Sequence, residues 1–254
     1  MNILAVFAHP DDETMLCGGV LALLAQKGHT VHYLSATRGE GGELGEPPLC
    51  ERSQLGVVRE QELVCAVRAL GGRSLTFLGY VDPTVGAGEE LYAYTDDLTL
   101  LAGQIATSIR QFAVRAVITH GSDGEYGHPA HTVTHLAARL AVESMHPQAP
   151  LLYTVAADYP GFPRKRLANK SDPAHLAIDV TPALPQKETA ALCHHTQHAL
   201  FLRRRSQELG RPLSVPEVVM RVESLHRAHP PVNEELEDPL AQSLAPWDTL
   251  GRYV

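Results

Sequence analysis

No apolar stretch among the 254 residues approaches the length of a membrane span. The opening, MNILAVFAHPDDE, also lacks the basic start, apolar stretch and small-residue cleavage site of a signal peptide. The expectation is a cytoplasmic chain without a membrane partner. Cysteine is scarce: Cys17, Cys50, Cys65 and Cys193 lie far apart with no CxxC pairing, which argues against a zinc knuckle and a disulfide framework, so reduced thiols are expected. Positive charge is short as well, with 21 Lys and Arg against 29 Asp and Glu and a formal net charge of -8. A phosphate backbone requires clustered cations, so nucleic acid is not an expected partner. The run Arg203-Arg204-Arg205 has no interleaved aromatics and reads as a solvated helix face. Low-complexity tracts and fixed-period repeats are missing too.

What remains is an ordinary globular composition, 44% hydrophobic and 20% charged. At this length one domain over 1–254 is expected. Residues 2–8 form a short apolar run, and 14–27 follow with Leu16, Val20, Leu23 and Leu24 at helical spacing before Gly28. Val31 to Ala36 reads as a second strand, completing a βαβ unit, whose strands must be parallel. The alternation continues with a helix at 53–70, a strand at 74–78, a helix at 97–112, a strand at 114–119, a helix at about 130–144 and a strand at 151–156. The fold expected is α/β, a Rossmann-like three-layer open sheet, mostly parallel, with helices on both faces and its core over about 1–157. Over about 158–254 a strand at 175–180 and a helix at 186–204 are expected; 215–225 fits either type, and the last 25 residues should wrap the surface.

Ligands of such sheets bind outside the carboxyl ends of the strands, which singles out 8–13, 37–52, 79–95 and 120–131. The first of these is His9-Pro10-Asp11-Asp12-Glu13. One acid there would suffice to cap a helix. Three acids directly after a histidine concentrate bases and metal donors, since neutral imidazole and carboxylate suit zinc or a similar ion. A mononuclear catalytic site typically takes three protein ligands, so a third must come from a neighbouring strand end. The segment after 114–119 offers it: His128 and His131 stand three residues apart across a helix start. His131 with His135 is a weaker pairing, because no Glu follows the first His as HExxH requires.

AHPDDE after a first strand, followed later by a GxxGHPxH segment, resembles the LmbE-like, PIG-L-type zinc N-deacetylases, which remove acetyl groups from N-acetylglucosaminyl conjugates; the likeness spans about the first 200 residues. The resemblance implies His9, Asp12 and His131 as metal ligands, Asp11 as general base, and protonated His128 as oxyanion stabiliser or acid. More weakly, it implies substrate contacts for Arg59, Asp82 and Tyr126; Glu43, in the loop GEGGELGE, could reach the pocket, and His194 matches a stretch ending H-x-[ST]-Q. That loop lacks the GK[ST] of a phosphate-cradling P-loop. The ion implied is Zn2+, with Fe2+ open, because both accept imidazole and carboxylate.

The chain departs from its relatives at Ala130, where they usually carry an Asp that tunes the catalytic histidine, and at Asp82-Pro83-Thr84-Val85, where they read DSGM-like. His128 is therefore expected to find another partner or to hold its proton less tightly. The function implied is metal-dependent hydrolysis of an N-acetylated amino sugar or its conjugate. The alternatives are an amidase acting on another amide, such as a thiol conjugate or antibiotic intermediate, and a non-catalytic binding protein. HPDDE in place of GxGxxG argues against a dinucleotide site. The partner expected is a small N-acetylated molecule, and homo-oligomerisation is left open.

Overall fold

The structure is a computed structural model that describes residues 1–88, 90–232 and 238–251. Its strands are β1 (Asn2–Phe7), β2 (Thr30–Thr37), β3 (Ser74–Tyr80), β4 (Ala116–Thr119), β5 (Leu151–Val155), β6 (Ala157–Asp158), β7 (Asn169–Pro173), β8 (Leu176–Asp179) and β9 (Val222–His229). Its α-helices are α1 (Asp12–Gln26), α2 (Leu55–Ala69), α3 (Leu98–Gln111), α4 (Gly124–Gly127), α5 (Pro129–Glu143), α6 (Leu184–Cys193), α7 (His198–Leu209), α8 (Val215–Val218) and α9 (Pro239–Leu244).

The main sheet runs β3-β2-β1-β4-β5-β9-β8. The first five strands are parallel, as their helical crossovers require, and β9 and β8 add an antiparallel edge. Ile3 to Phe7 of the central strand are almost inaccessible, which is why β1 is apolar on both faces rather than alternating. One face of the sheet carries Leu21 and Leu24 of α1, Leu63 and Val67 of α2, Ala190 of α6 and Leu240 and Leu244 of α9. The other carries Leu101 and Ile105 of α3 and Ala138 and Val142 of α5. These three layers match the architecture expected. The order reverses at β1, whose neighbours are β2 on one side and β4 on the other, and this is where open α/β sheets place their crevice.

Helix α1 is broken at Cys17, whose φ of -149° and ψ of 20° leave the helical region. A break frees amide groups that a continuous helix would pair. Glu223 of β9 accepts two of them, from Gly19 at 2.9 Å and Val20 at 2.6 Å. Lys187 of α6 neutralises that buried carboxylate at 2.5 Å.

Three expectations need correction, and one left open is decided. The helix expected over 186–204 is two helices, because the chain breaks at His194 (φ -83°, ψ 58°) and the following Thr196 is held by Glu62 of α2, 2.8 Å to its amide and 2.7 Å to its hydroxyl. The segment left open at 215–225 is α8 followed by the start of β9. Far from only wrapping the surface, the end of the described chain buries Leu240 and Leu244 in the core; residues 233–237 and 252–254 of that stretch lie outside the described residues. Finally, Cys65 and Cys193 are joined by a disulfide, with Cα atoms 5.7 Å apart, while Cys17 and Cys50 are free. Their separation of 128 residues hides the pairing, and the packing of α2 on α6 creates it. The reduced-thiol ground for a cytoplasmic location is therefore gone for two of the four cysteines. Among the described residues no helix is long and apolar enough to cross a membrane.

Candidate active site

The turn after β1 places three acids in three directions because its backbone is strained. Asp11 sits at φ 105°, a region costly for any residue with a side chain. Its carboxylate thereby meets Arg59, with Nη2 3.1 Å from Oδ2. Asp12 turns back under His9, accepting the His9 amide at 2.9 Å, and Glu13 points into the core.

His9, Asp12 and His131, the three expected ligands, stand together. Asp12 Oδ2 is 3.3 Å from His9 Nδ1, and Asp12 Oδ1 is 3.3 Å from His131 Nε2. The donor atoms converge in two overlapping triads, His9-His128-His131 and Asp12-His120-His131, so His131 belongs to both. Among the described residues, Nε2 of His9 and Nε2 of His131 are buried without a hydrogen-bond partner. Each faces a carboxylate oxygen without forming a hydrogen bond, Asp82 Oδ1 at 3.2 Å from His9 and Asp12 Oδ1 at 3.3 Å from His131, and a divalent cation is the partner that imidazoles beside carboxylates suit. The donor set therefore fits a metal ion.

The charges follow from this crowding. Burial lowers the affinity of His9 for a proton, but Asp82 and Asp12 outweigh it and raise the imidazole to about 9. Burial likewise opposes protonation of His131, yet Asp12 and Glu125 hold it up to about 10. Burial raises the carboxyl of Asp12, and His131 and His120 overcome it, leaving Asp12 well below the usual carboxylate range. Asp11 goes the other way: burial raises it to about 6, against the pull of Arg59.

His128 is held differently. Its Nδ1 accepts the amide hydrogen of Ala130 at 3.2 Å, which caps α5 and leaves the ring hydrogen on Nε2. Its ring stacks on His131, with centroids 4.5 Å apart. Burial, then the neighbouring His131 and His9, push it down to about 3. The protonated His128 expected from the sequence is thus a neutral imidazole here, and the backbone amide of Ala130 occupies the nitrogen that a carboxylate would otherwise face.

Of the weaker expectations, Asp82 does enter the cluster, its Oδ1 3.2 Å from His9 Nε2. The ring of Tyr126 lies edge-on to His128 and His131, each with centroids 5.6 Å apart, and is 41% exposed. The guanidinium of Arg166 covers it at 5.3 Å. Arg59 is buried, unlike the solvated helix-surface arginine its setting suggests. Its guanidinium is committed to Asp11, to the Pro10 carbonyl at 2.5 Å and to the Gly39 carbonyl at 2.8 Å, and at Gly39 (φ 68°) a side chain would collide with it. Glu43 does not reach the pocket; its carboxylate takes both arms of Arg203 on α7 at 2.8 and 3.0 Å. Glu40 faces the site side of that loop instead, accepting the Asp82 amide at 3.1 Å. His194 lies one layer back, wholly buried, with Nε2 3.2 Å from Glu13 Oε1 and 3.4 Å from Thr14 Oγ1. His135 turns away, its Nδ1 3.0 Å from the His120 carbonyl.

Sequence reasoning missed His120 and Glu125. His120 follows β4 directly, and its Nε2 accepts the Ala8 amide at 3.0 Å. Glu125 is a buried acid at φ 58° between two glycines, a position whose cost is itself a signal. Its Oε2 lies 2.5 Å from His131 Nδ1 and 3.1 Å from His120 Nδ1. Gly121 lacks a side chain where one would overlap the amide of Asn169, which lies against Glu125.

Residues 4–142 match the family described as PIG-L: GlcNAc-PI de-N-acetylase. The 1D-myo-inositol 2-acetamido-2-deoxy-alpha-D-glucopyranoside deacetylase of Mycobacterium sp. (strain KMS) is 30% identical over 246 residues, covering 85% of this chain and 80% of that protein. Two solved structures share the fold at lower identity. The N,N'-diacetylchitobiose deacetylase of Pyrococcus horikoshii superposes with a TM-score of 0.59 at 17% identity, over 87% of this chain and 83% of its own. The 4-carboxy-2-hydroxymuconate hydratase of Pseudomonas putida does so with a TM-score of 0.62 at 22% identity, over 93% of this chain and 99% of its own. One scaffold therefore serves both a deacetylase and a hydratase, so the fold does not by itself select the reaction.

Proposed function

Because the chain belongs to the PIG-L family of metal-dependent deacetylases, enzymes that hydrolyse an amide bond, we propose that it is a zinc hydrolase removing the acetyl group from an N-acetylglucosaminyl conjugate. The observation that carries this reading is the pair of buried nitrogens without a hydrogen bond, His9 Nε2 and His131 Nε2, crowded against the carboxylates of Asp82 and Asp12. His9, Asp12 and His131 would hold the ion. A bound divalent ion supplies Lewis acidity to the acetyl carbonyl and makes water a better nucleophile near neutral pH.

Asp11 serves as the general base. Arg59 anchors Oδ2, which leaves Oδ1 to accept the proton of the attacking water. Burial that raises Asp11 to about 6 makes it a stronger base than an ordinary carboxylate while keeping it ionised at pH 7. The same carboxyl then returns the proton to the departing amine. His128 donates its Nε2 hydrogen to the developing oxyanion as a neutral imidazole, a role that needs no net charge. Tyr126, Asp82 and Glu40 line the approach and orient the sugar.

The test is acetate release from a panel of N-acetylglucosaminyl conjugates, free N-acetylglucosamine and simple N-acetyl amines, using protein loaded with zinc, with iron(II), or stripped. Conjugates should be hydrolysed fastest, and stripped protein should be inactive. A metal-loaded protein that releases acetate from no N-acetylglucosaminyl compound overturns the reading.

A further inference from the structure

Glu125 is a charged group in an expensive place. Its side chain is inaccessible, and its backbone adopts φ 58° and ψ -84°, which favours glycine. The surroundings hold it there on every side. The Gly121 amide donates to Oε1 at 2.9 Å and the Asn169 side-chain amide at 3.3 Å, while Asn169 Oδ1 accepts the Glu125 amide at 2.9 Å. Both neighbouring imidazoles then converge on Oε2, His131 through Nδ1 at 2.5 Å and His120 through Nδ1 at 3.1 Å.

A carboxylate only accepts hydrogen bonds, so both Nδ1 atoms must carry hydrogen. In the neutral form that a cation requires, this leaves the lone pair of His131 on Nε2, the buried nitrogen without a hydrogen bond. His120 is fixed independently: its Nε2 accepts the Ala8 amide, which confirms Nδ1 as its donor. With Nε2 so engaged, His120 braces rather than ligates, although it lies 3.4 Å from Asp12. The two rings stack with centroids 3.9 Å apart, locking His131 in orientation. His128 has no such support among the described residues, since its Nδ1 meets the Ala130 amide.

We propose that Glu125, braced by His120, is a positioning residue that sets how tightly the site grips its ion, by fixing the His131 tautomer and drawing its Nδ1 hydrogen so that Nε2 becomes a stronger donor. The proposal rests on His131 being a ligand, as in the function proposed above. The carboxylate thus serves metal retention, and the oxyanion donor His128 works without one.

The test uses the full-length protein with zinc as probe and chelator competition as readout. Glu125→Gln keeps the size and removes the charge, and should weaken zinc binding by about 10–100-fold, while turnover per bound zinc changes far less. Glu125→Gly removes the carboxylate and suits the left-handed backbone, so it provides the same reading if the glutamine variant fails to fold. His120→Asn should show a smaller loss. Nitrogen NMR of His131 should report hydrogen on Nδ1 in the wild type and a mixture in Glu125→Gln. Zinc affinity within twofold of wild type in both Glu125 variants, or an unchanged tautomer despite weaker binding, overturns the proposal. His131→Ala separates the premise: if it retains wild-type zinc affinity, the ligand assignment fails, whatever Glu125 does.

Discussion

Arg59 Nη2 lies 3.1 Å from Asp11 Oδ2 and 2.5 Å from the carbonyl of Pro10, so one guanidinium holds both the turn and the carboxylate that the turn presents. Two outcomes are expected. Asp11→Asn should lower kcat by about 10²–10⁴ with metal content unchanged. Arg59→Lys keeps the charge but loses the planar fork, and should lower kcat by about tenfold or more through a base that is no longer oriented. Steady-state kinetics beside metal analysis checks both, and loss of metal in Asp11→Asn would reassign Asp11 as a ligand.

Lys187 and Glu223 form a wholly buried pair at 2.5 Å that also caps the broken α1. Lys187→Met should cost about 3–5 kcal/mol, because it strands a buried carboxylate. Replacing both, Lys187→Met with Glu223→Leu, should not restore wild-type stability, since the Gly19 and Val20 amides lose their acceptor. Urea denaturation of the three proteins settles the matter; full recovery in the double variant would show that the cap contributes nothing.

The disulfide between Cys65 and Cys193 predicts that unreduced, denatured protein offers two titratable thiols, from Cys17 and Cys50, where the sequence has four cysteines. Closing a separation of 128 residues restricts the unfolded chain, so Cys65→Ser should destabilise the protein by up to about 5 kcal/mol in the chain-entropy account. Thiol titration and denaturation with and without reductant measure both. Four thiols in unreduced protein would contradict the bond.

His194 yields a pH-dependent expectation. Burial disfavours its charge, but the hydrogen bond to Glu13, then the charges of Glu13 and Asp11, raise it above its ordinary value. A group raised on folding contributes stability that is complete below its unfolded value, about 6.5, and is lost as pH climbs through the folded value. The stability gap between wild type and His194→Gln should therefore be wider at pH 6 than at pH 9. An equal gap at both would mean that the imidazole is neutral in the fold.

Much of the site was legible because it is local. A histidine and two aspartates at the end of an apolar strand, and two histidines across a helix start, declare themselves by spacing, and sheet topology brings the two segments together. What stayed hidden depends on tertiary approach. Periodicity runs smoothly through 186–204, yet Glu62 and Glu13 capture Thr196 and His194 and break the helix. In GEGGELGE the acids look alike; the position of Asp82 selects Glu40 for the site side, and Arg203 on α7 draws Glu43 away. Arg59 reads as a helix-surface cation until the glycines of that loop close over it. Glu125 could have been suspected, being an acid between glycines just before the histidine pair, but its two imidazole partners come from the residue after β4 and from α5.

The segment from 159 to 168 joins β6 to β7, burying Phe162 and Ala168 in the core, and ends at Asn169, whose side-chain amide donates to the Val155 carbonyl at 2.9 Å and lies against Glu125. Its end is therefore pinned beside Glu125, while Arg166 within it covers the ring of Tyr126. Such a loop separates two kinds of change. Substitutions at its exposed positions, Pro160, Pro163, Lys165 and Arg166, spare both the core and Glu125, whereas a change at Asn169 takes away a hydrogen-bond donor to Glu125. Changes in substrate preference are therefore expected from the exposed positions of this segment, and loss of stability from Phe162, Ala168 and Asn169.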